Sequence, residues 1–185
     1  NKHQYLERWK HGGEPYPDHR IGGACSLLQQ SFNKYPISSK NVAIIGSTTP
    51  WIECMCMNND ANEITTVEYN IPQCNDSRIK MMDYYNDFQN CNTKFDCIIS
   101  YSSIEHSGLG RYGDNLDPEG HIKGFQNLLN LLDKDGLLYI SFPISTKTRV
   151  EFNEQRVFHY SEILNWLKPF QDKYALECFD YIDDL

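Results

Sequence analysis

Short apolar runs closed by polar residues alternate with stretches of helical spacing along most of the chain. Val42-Ala43-Ile44-Ile45 ends in Gly46 and reads as a buried parallel strand. Pro50 suits the first turn of a helix that continues through Trp51–Asn58. Ile64-Thr65-Thr66-Val67 is β-branched and closes on Glu68, a second strand. Ile79-Lys80-Met81-Met82, with Asp83 at its end, is a candidate third, and residues 95–100 a fourth. Phe125, Leu128, Leu129 and Leu132 fall on one face of a helix over 122–132. Asp135-Gly136 predicts a turn into a fifth strand at 137–142. Residues 161–167 read as a short helix ahead of Pro169, and residues 174–181 alternate as a sixth strand would. No internal repeat interrupts this order.

Such alternation predicts an α/β fold, a mostly parallel sheet with helices on both faces. The start of the chain differs. Gly12-Gly13-Glu14-Pro15-Tyr16-Pro17, followed by Gly22-Gly23, predicts a loop between an N-terminal helix and a short helix over 24–33. Residues 1–35 are therefore expected as an extension packing on the sheet, and 36–185 as the α/β domain. Ligands of such sheets bind outside the carboxyl ends of the strands, where strand order reverses. Gly46, Glu68, Asp83 and the segment after Ser100 all fall at those ends.

Composition narrows the partners. The 185 residues are 40% hydrophobic and 23% charged, which excludes a disordered chain. No stretch approaches the roughly 18 apolar residues of a membrane helix. The net charge of −8 argues against a nucleic-acid surface and favours a small-molecule or sugar-like substrate. Seven cysteines form no disulfide pattern, and Cys54, Cys56 and Cys97 lie inside apolar runs as small hydrophobes. The set reads as reduced and cytoplasmic. Asn75-Asp76-Ser77 matches a glycosylation acceptor, which chance explains in so Asn-rich a chain. The chain begins at Asn1 rather than Met, which leaves room for an upstream signal or anchor.

Gly46-Ser47-Thr48-Thr49-Pro50-Trp51 joins the first strand to its helix. A glycine there lets a ligand approach the backbone, and a helix start offers free N–H donors; the plain alternative is a tight turn capped by Ser47 or Thr49. Glu68 follows about twenty residues later, the spacing at which an acid takes ribose hydroxyls. After the fourth strand, Ser102 leads into Glu105, His106 and a glycine-rich run ending at Asp114. His106 titrates near neutrality and suits a general base, with Glu105 to orient it. Arg111 can grip an anionic or polyhydroxylated substrate; alternatively it pairs with Asp114 to fix a surface loop. Tyr112, Asn153 and Arg156 are further candidate substrate contacts. Glu105, His106, Asp114, Asp117 and His121 offer metal ligands, but at a spacing that matches no binding loop, so no metal is expected. His121 is expected to be solvated, and Trp9, Trp51 and Trp166 to be core.

Four runs carry a family resemblance: VAIIGSTTPWIE at 42–53, TTVEYN at 65–70, FDCIISYSSIEHSGLGRYGDNLD at 95–117 and FNEQRVF at 152–158. Together they resemble the domain-of-unknown-function 268 family, catalogued from nematode proteins. SxEHSGLGRYGD is the most specific run. That family is similar to class I S-adenosylmethionine-dependent methyltransferases, which implies a Rossmann-like seven-stranded sheet and S-adenosylmethionine as cofactor. The resemblance implies Gly46, Ser47 and Thr48 against the methionine part of the cofactor, Glu68 on the ribose and Asp83 near the adenine. It places Ser102 through His106 near the sulfonium. His106, Glu105 and Arg111 are then the expected catalytic residues, with Arg111, Tyr112, Asp114, Asn153 and Arg156 on the acceptor. Ile44 stands where ordinary members carry an acid, and Thr48 and Pro50 where they carry glycines. The chain also ends soon after the sixth strand, with little room for a seventh. Two readings follow: a methyltransferase acting on a small-molecule or glycan hydroxyl, or a catalytically inactive binding module on the same fold. A nicotinamide or nucleotide-sugar enzyme is a third, and the missing later glycines argue against nicotinamide.

Overall fold

The computed structural model describes residues 19–177, with side-chain environments from Cys25 onward. Five strands form one all-parallel sheet: β1 (Asn41–Ile45), β2 (Glu63–Glu68), β3 (Ile79–Asp83), β4 (Phe95–Tyr101) and β5 (Leu132–Ser141). Their order is β3-β2-β1-β4-β5. The chain moves outward from β1 to β3, then returns to lay β4 on the other side of β1, so strand order reverses between β1 and β4. A crevice opens at such a point, above the carboxyl ends of the strands.

Successive residues of β1 point to opposite faces, and both faces are covered. Val42 and Ile44 join Ile64, Cys97 and Ile99 under α1 (His19–Lys34) and α2 (Trp51–Asn58), where Cys25, Phe32, Trp51, Ile52 and Met55 are buried. Ala43 and Ile45 face the other way, with Val67 and Ile98, against α3 (Gly120–Leu131) and α4 (Tyr160–Leu167). Phe125, Leu128, Leu129, Ile163 and Trp166 fill that layer. Each buried aliphatic or aromatic side chain contributes about 1.5–3 kcal/mol, enough to fix this register against a one-residue slip. Beyond β5 a hairpin of β6 (Arg149–Glu151) and β7 (Gln155–Val157) stands apart from the main sheet.

Four expectations change. Gly22 and Gly23 lie inside α1 rather than in a loop, because the helix starts at His19. The Asp135-Gly136 turn does not separate α3 from β5; β5 begins at Leu132, and the turn persists as an irregularity where Phe95 pairs Leu132 and Cys97 pairs Leu137. Asp135 keeps the left-handed backbone of a turn, φ 61°. Residues 174–177 form no strand, and the rest of that predicted sixth strand, like the N-terminal helix, the Gly12–Pro17 stretch and Trp9, lies outside the described residues. The β6–β7 hairpin occupies Arg149–Val157, where the alternation of runs predicts no element. Trp51 and Trp166 are core, 4% and 8% exposed. Among the described residues no helix is long and apolar enough to cross a membrane.

Candidate active site

Gly46 ends β1 with φ 75°, while its N–H still donates to the Val67 carbonyl at 3.0 Å. A Cβ at Gly46 would lie 2.4 Å from Ser103 Oγ and 2.6 Å from Ser103 Cβ. Glycine is thus required twice, for the left-handed turn and for contact between the β1 loop and the segment after β4. Ser47 is buried and donates its hydroxyl to the Thr49 carbonyl, whereas Thr48 is exposed. No side chain caps α2, so neither Ser47 nor Thr49 takes the capping role.

Glu68 closes β2, in register with Asp83 on β3. Its Oε1 is buried without a hydrogen-bond partner. Burial raises its pKa, opposed by the Tyr69 amide and reinforced by the Glu53 charge. Ser100, 1% exposed, carries a second orphaned oxygen on β4. Gly46, Glu68 and Ser100 border one hollow, completed by Tyr69, Ser103 and Ser107. Its volume is ≈ 30 Å³, the share of about one water. The Tyr69 ring packs edge-on against Tyr84 at 4.7 Å and tilted on Tyr85 at 5.2 Å, and its hydroxyl meets that of Ser107. A nucleoside is larger than this hollow. Asp83 is engaged locally, its Oδ1 accepting from the amides of Tyr85 and Asn86.

After β4 the chain makes a tight 3₁₀ turn, Ile104–His106. Ser102 enters it with φ 47°, a strained conformation for serine, held by its N–H on the Ser141 carbonyl and its hydroxyl on Glu105 Oε1 at 2.6 Å. Glu105 is fully buried, and its Oε2 has no partner. Burial outweighs the Ser102 bond and moves its pKa up from 4.5 to about 7. His106 donates Nδ1–H to the Glu154 carbonyl at 2.7 Å, which leaves the lone pair on Nε2, 3.8 Å from Glu105 Oε1. Its pKa falls through burial, with the Glu154 carbonyl opposing and Arg111 adding. The ring stands edge-on to Tyr112 at 5.4 Å and does not line the hollow.

The glycine-rich run owes its shape to Asp114. This buried carboxylate accepts from the amides of Gly108 at 2.6 Å, Gly110 at 3.2 Å and Tyr112 at 3.3 Å, while Gly108, Gly110 and Gly113 adopt positive φ. Asp114→Ala should strand those amides and lower stability by about 2–3 kcal/mol, read by urea unfolding, with new proteolysis after Arg111. Arg111 and Tyr112 are exposed on this loop, the guanidinium over the ring at 5.4 Å and on the Glu154 carbonyl at 2.9 Å. Arg111 therefore pairs with a carbonyl of the hairpin rather than with Asp114. Asn153 is exposed at the hairpin tip with φ 54°, beside Phe152, 98% exposed. Arg156 is buried and committed to backbone carbonyls.

His121 corrects one expectation. It is half-buried, stacked 5.3 Å from Phe158, and burial lowers its pKa to about 4. Among the described residues no three His, Cys, Asp or Glu side chains group as metal ligands. The structure thus brings Gly46 and Glu68 to one hollow, with Ser47 and Thr48 on the adjoining loop. It sets Glu105, His106, Arg111 and Tyr112 on the neighbouring turn and loop, and turns Asp83, Asp114 and Arg156 to internal bonds. Sequence reasoning misses Tyr69, Ser100 and Ser107, whereas Ser103 falls within the Ser102–His106 segment it singles out. A serine closing the apolar run of β4 in register with Ile45 is the one signal pointing to Ser100.

A parallel sheet of this order with these strand ends is the fold of class I S-adenosylmethionine-dependent methyltransferases. The solved structures agree. Burkholderia thailandensis 1,6-didemethyltoxoflavin-N1-methyltransferase, with bound 1,6-didemethyltoxoflavin and S-adenosylhomocysteine, is similar at 14% identity and TM-score 0.61, over 91% of this chain and 74% of that one. The PH0226 protein of Pyrococcus horikoshii OT3 is similar at 14% identity and TM-score 0.59, over 91% and 88%. A DhpI–SAH complex gives 8% identity and TM-score 0.56, over 91% and 84%. No curated protein matches the chain in sequence. Residues 39–171 match the family described as Caenorhabditis protein of unknown function, DUF268, and the chain belongs to it.

Proposed function

We propose that the protein is an S-adenosylmethionine-dependent methyltransferase acting on a hydroxyl of a small molecule or glycan. The observation that carries this reading is that Gly46, Glu68 and Ser100 line one hollow at the switch point, with Glu68 Oε1 and the Ser100 hydroxyl buried beside it without partners. A methyltransferase neighbour solved with S-adenosylhomocysteine and a neighbouring DhpI–SAH complex lend it support. The cofactor, when bound, supplies an electrophilic methyl group. Backbone at Gly46, Ser47 and Thr48 holds its methionine part, Glu68 accepts from ribose hydroxyls, and Asp83 borders the adenine through the turn it fixes. Ser102 and Glu105 shape the turn beside the acceptor. His106, neutral at pH 7, takes the acceptor proton at Nε2. Arg111, Tyr112 and Asn153 face the acceptor, and Asp114 and Arg156 hold the segments that carry them. The net charge of −8 fits a cytoplasmic enzyme without a nucleic-acid partner.

Calorimetric titration with S-adenosylmethionine tests the reading. Saturable binding is expected, weakened about tenfold or more in Glu68→Ala through loss of charge-assisted hydrogen bonds. His106→Ala should keep that binding and lower turnover by about 10²–10⁴ once an acceptor is found. The tightness of the hollow under Tyr69 favours a second reading, a binding module without catalysis. Absence of heat at millimolar cofactor would select it.

A further inference from the structure

The two most specific runs of the sequence, SSIEHSGLGRYGDNLD and FNEQRVF, meet in the fold. Two groups of the hairpin segment make the junction. The Glu154 carbonyl accepts from both His106 Nδ1 and Arg111 Nη1. Arg156, 5% exposed, sends one guanidinium nitrogen to the carbonyls of Ser107 at 2.5 Å and Glu105 at 3.4 Å. Its other terminal nitrogen reaches those of Asp117 at 3.2 Å and Pro118 at 3.4 Å. None of these acceptors is a carboxylate. A guanidinium buried on neutral dipoles alone is costly, and the Asp114 and Asp117 charges act on it only through space. Hydrophobic residues on β7 would pack at lower cost. What the planar fork supplies is geometry: four carbonyls, from the turn bearing Glu105 and His106 and from the approach to α3, pinned to one side chain.

We propose that Arg156 is a positioning residue, which holds the Ile104–His106 turn so that the Glu154 carbonyl selects the Nδ1–H form of His106 and leaves Nε2 as its basic atom. The inference deepens the reading of His106 as a base, and the site is the same. It gives the hairpin a task beyond strand pairing and the burial of Val157: among the described strands β6 and β7 pair with each other, and Arg156 ties them to the turn.

Imidazole ¹⁵N–¹H spectra of the full chain, without cofactor, test it. Wild type should show His106 as a single Nδ1–H tautomer through neutral pH. Arg156→Met should give a mixture of both tautomers, with the titration midpoint moving up toward that of an ordinary histidine as the turn loosens. Arg156→Lys, a point charge reaching one carbonyl at a time, should fall between the two, and it decides alone if the Met variant does not fold. A folded Arg156→Lys or Arg156→Met whose His106 tautomer and midpoint equal those of wild type would overturn the proposal. Failure of S-adenosylmethionine to bind wild type would end the methyltransferase reading and leave this tautomer result standing, so the two failures are told apart.

Discussion

Gly46→Ala should destabilise the protein by about 2–5 kcal/mol. The left-handed backbone at φ 75° costs an alanine about 1–2 kcal/mol, and forced overpacking adds about 1–3. The second part has a named cause: the new Cβ meets Ser103 Oγ and Cβ at 2.4 and 2.6 Å, whereas Ser103 Cα stands 3.7 Å away. Removing the Ser103 side chain should therefore relieve the steric share and leave the backbone share. Urea unfolding of Gly46→Ala, Ser103→Gly and the double variant separates them, and the double variant is expected to be more stable than Gly46→Ala alone. Additive losses would mean that the β1 loop and the turn after β4 are not in contact. The crevice would then lack the wall that brings its two sides together.

The second large effect concerns Glu105 and pH. Its folded pKa of about 7 stands above the unfolded value of 4.5, so the folded state binds the proton more tightly. Its contribution is complete below about pH 4.5 and is lost as pH rises through 7. Over that window wild type should lose about 3 kcal/mol from this group, at about 1.4 kcal/mol for each pH unit of separation. Glutamine cannot ionise and can still accept from Ser102. Glu105→Gln should match wild type near pH 4.5 and exceed it by about 3 kcal/mol at pH 8. His121, whose pKa falls to about 4, pulls the other way as acid is added, but it is common to both proteins and cancels in the difference. Denaturant titrations at the two pH values check this. Equal stability at pH 8 would place the carboxylate in contact with solvent.

Much of the frame is legible in the residues because burial on both faces leaves little choice. Val42 to Ile45 and Cys97 to Ile99 are apolar throughout and Ile64 to Val67 is β-branched and buried, and a strand covered by helices on both faces needs such runs. Glu68 and Asp83 read as strand ends because their charges stop the run. The hairpin is harder to see: Arg149, Glu151, Gln155 and Arg156 look solvated, and only the fold shows Arg156 buried against carbonyls. Glu105 misleads in the same way, since an acid beside a histidine gives no sign that its environment is dry. His121 is hidden by the aromatic residues Phe158 and Trp166, distant in sequence. The hollow itself is lined from β1, β2 and the segment after β4 together, with Tyr69 packed on Tyr84 and Tyr85, which no local pattern announces.

That hollow can be probed residue by residue. S-adenosylhomocysteine titrated into ¹⁵N-labelled protein should shift the amides of Gly46, Glu68, Tyr69 and residues 100–103 together, with one saturation curve, as Tyr69 leaves Ser107. Spectra that stay unchanged at millimolar ligand, or shifts that saturate elsewhere on the surface, would contradict the placement of a cofactor site at the switch point.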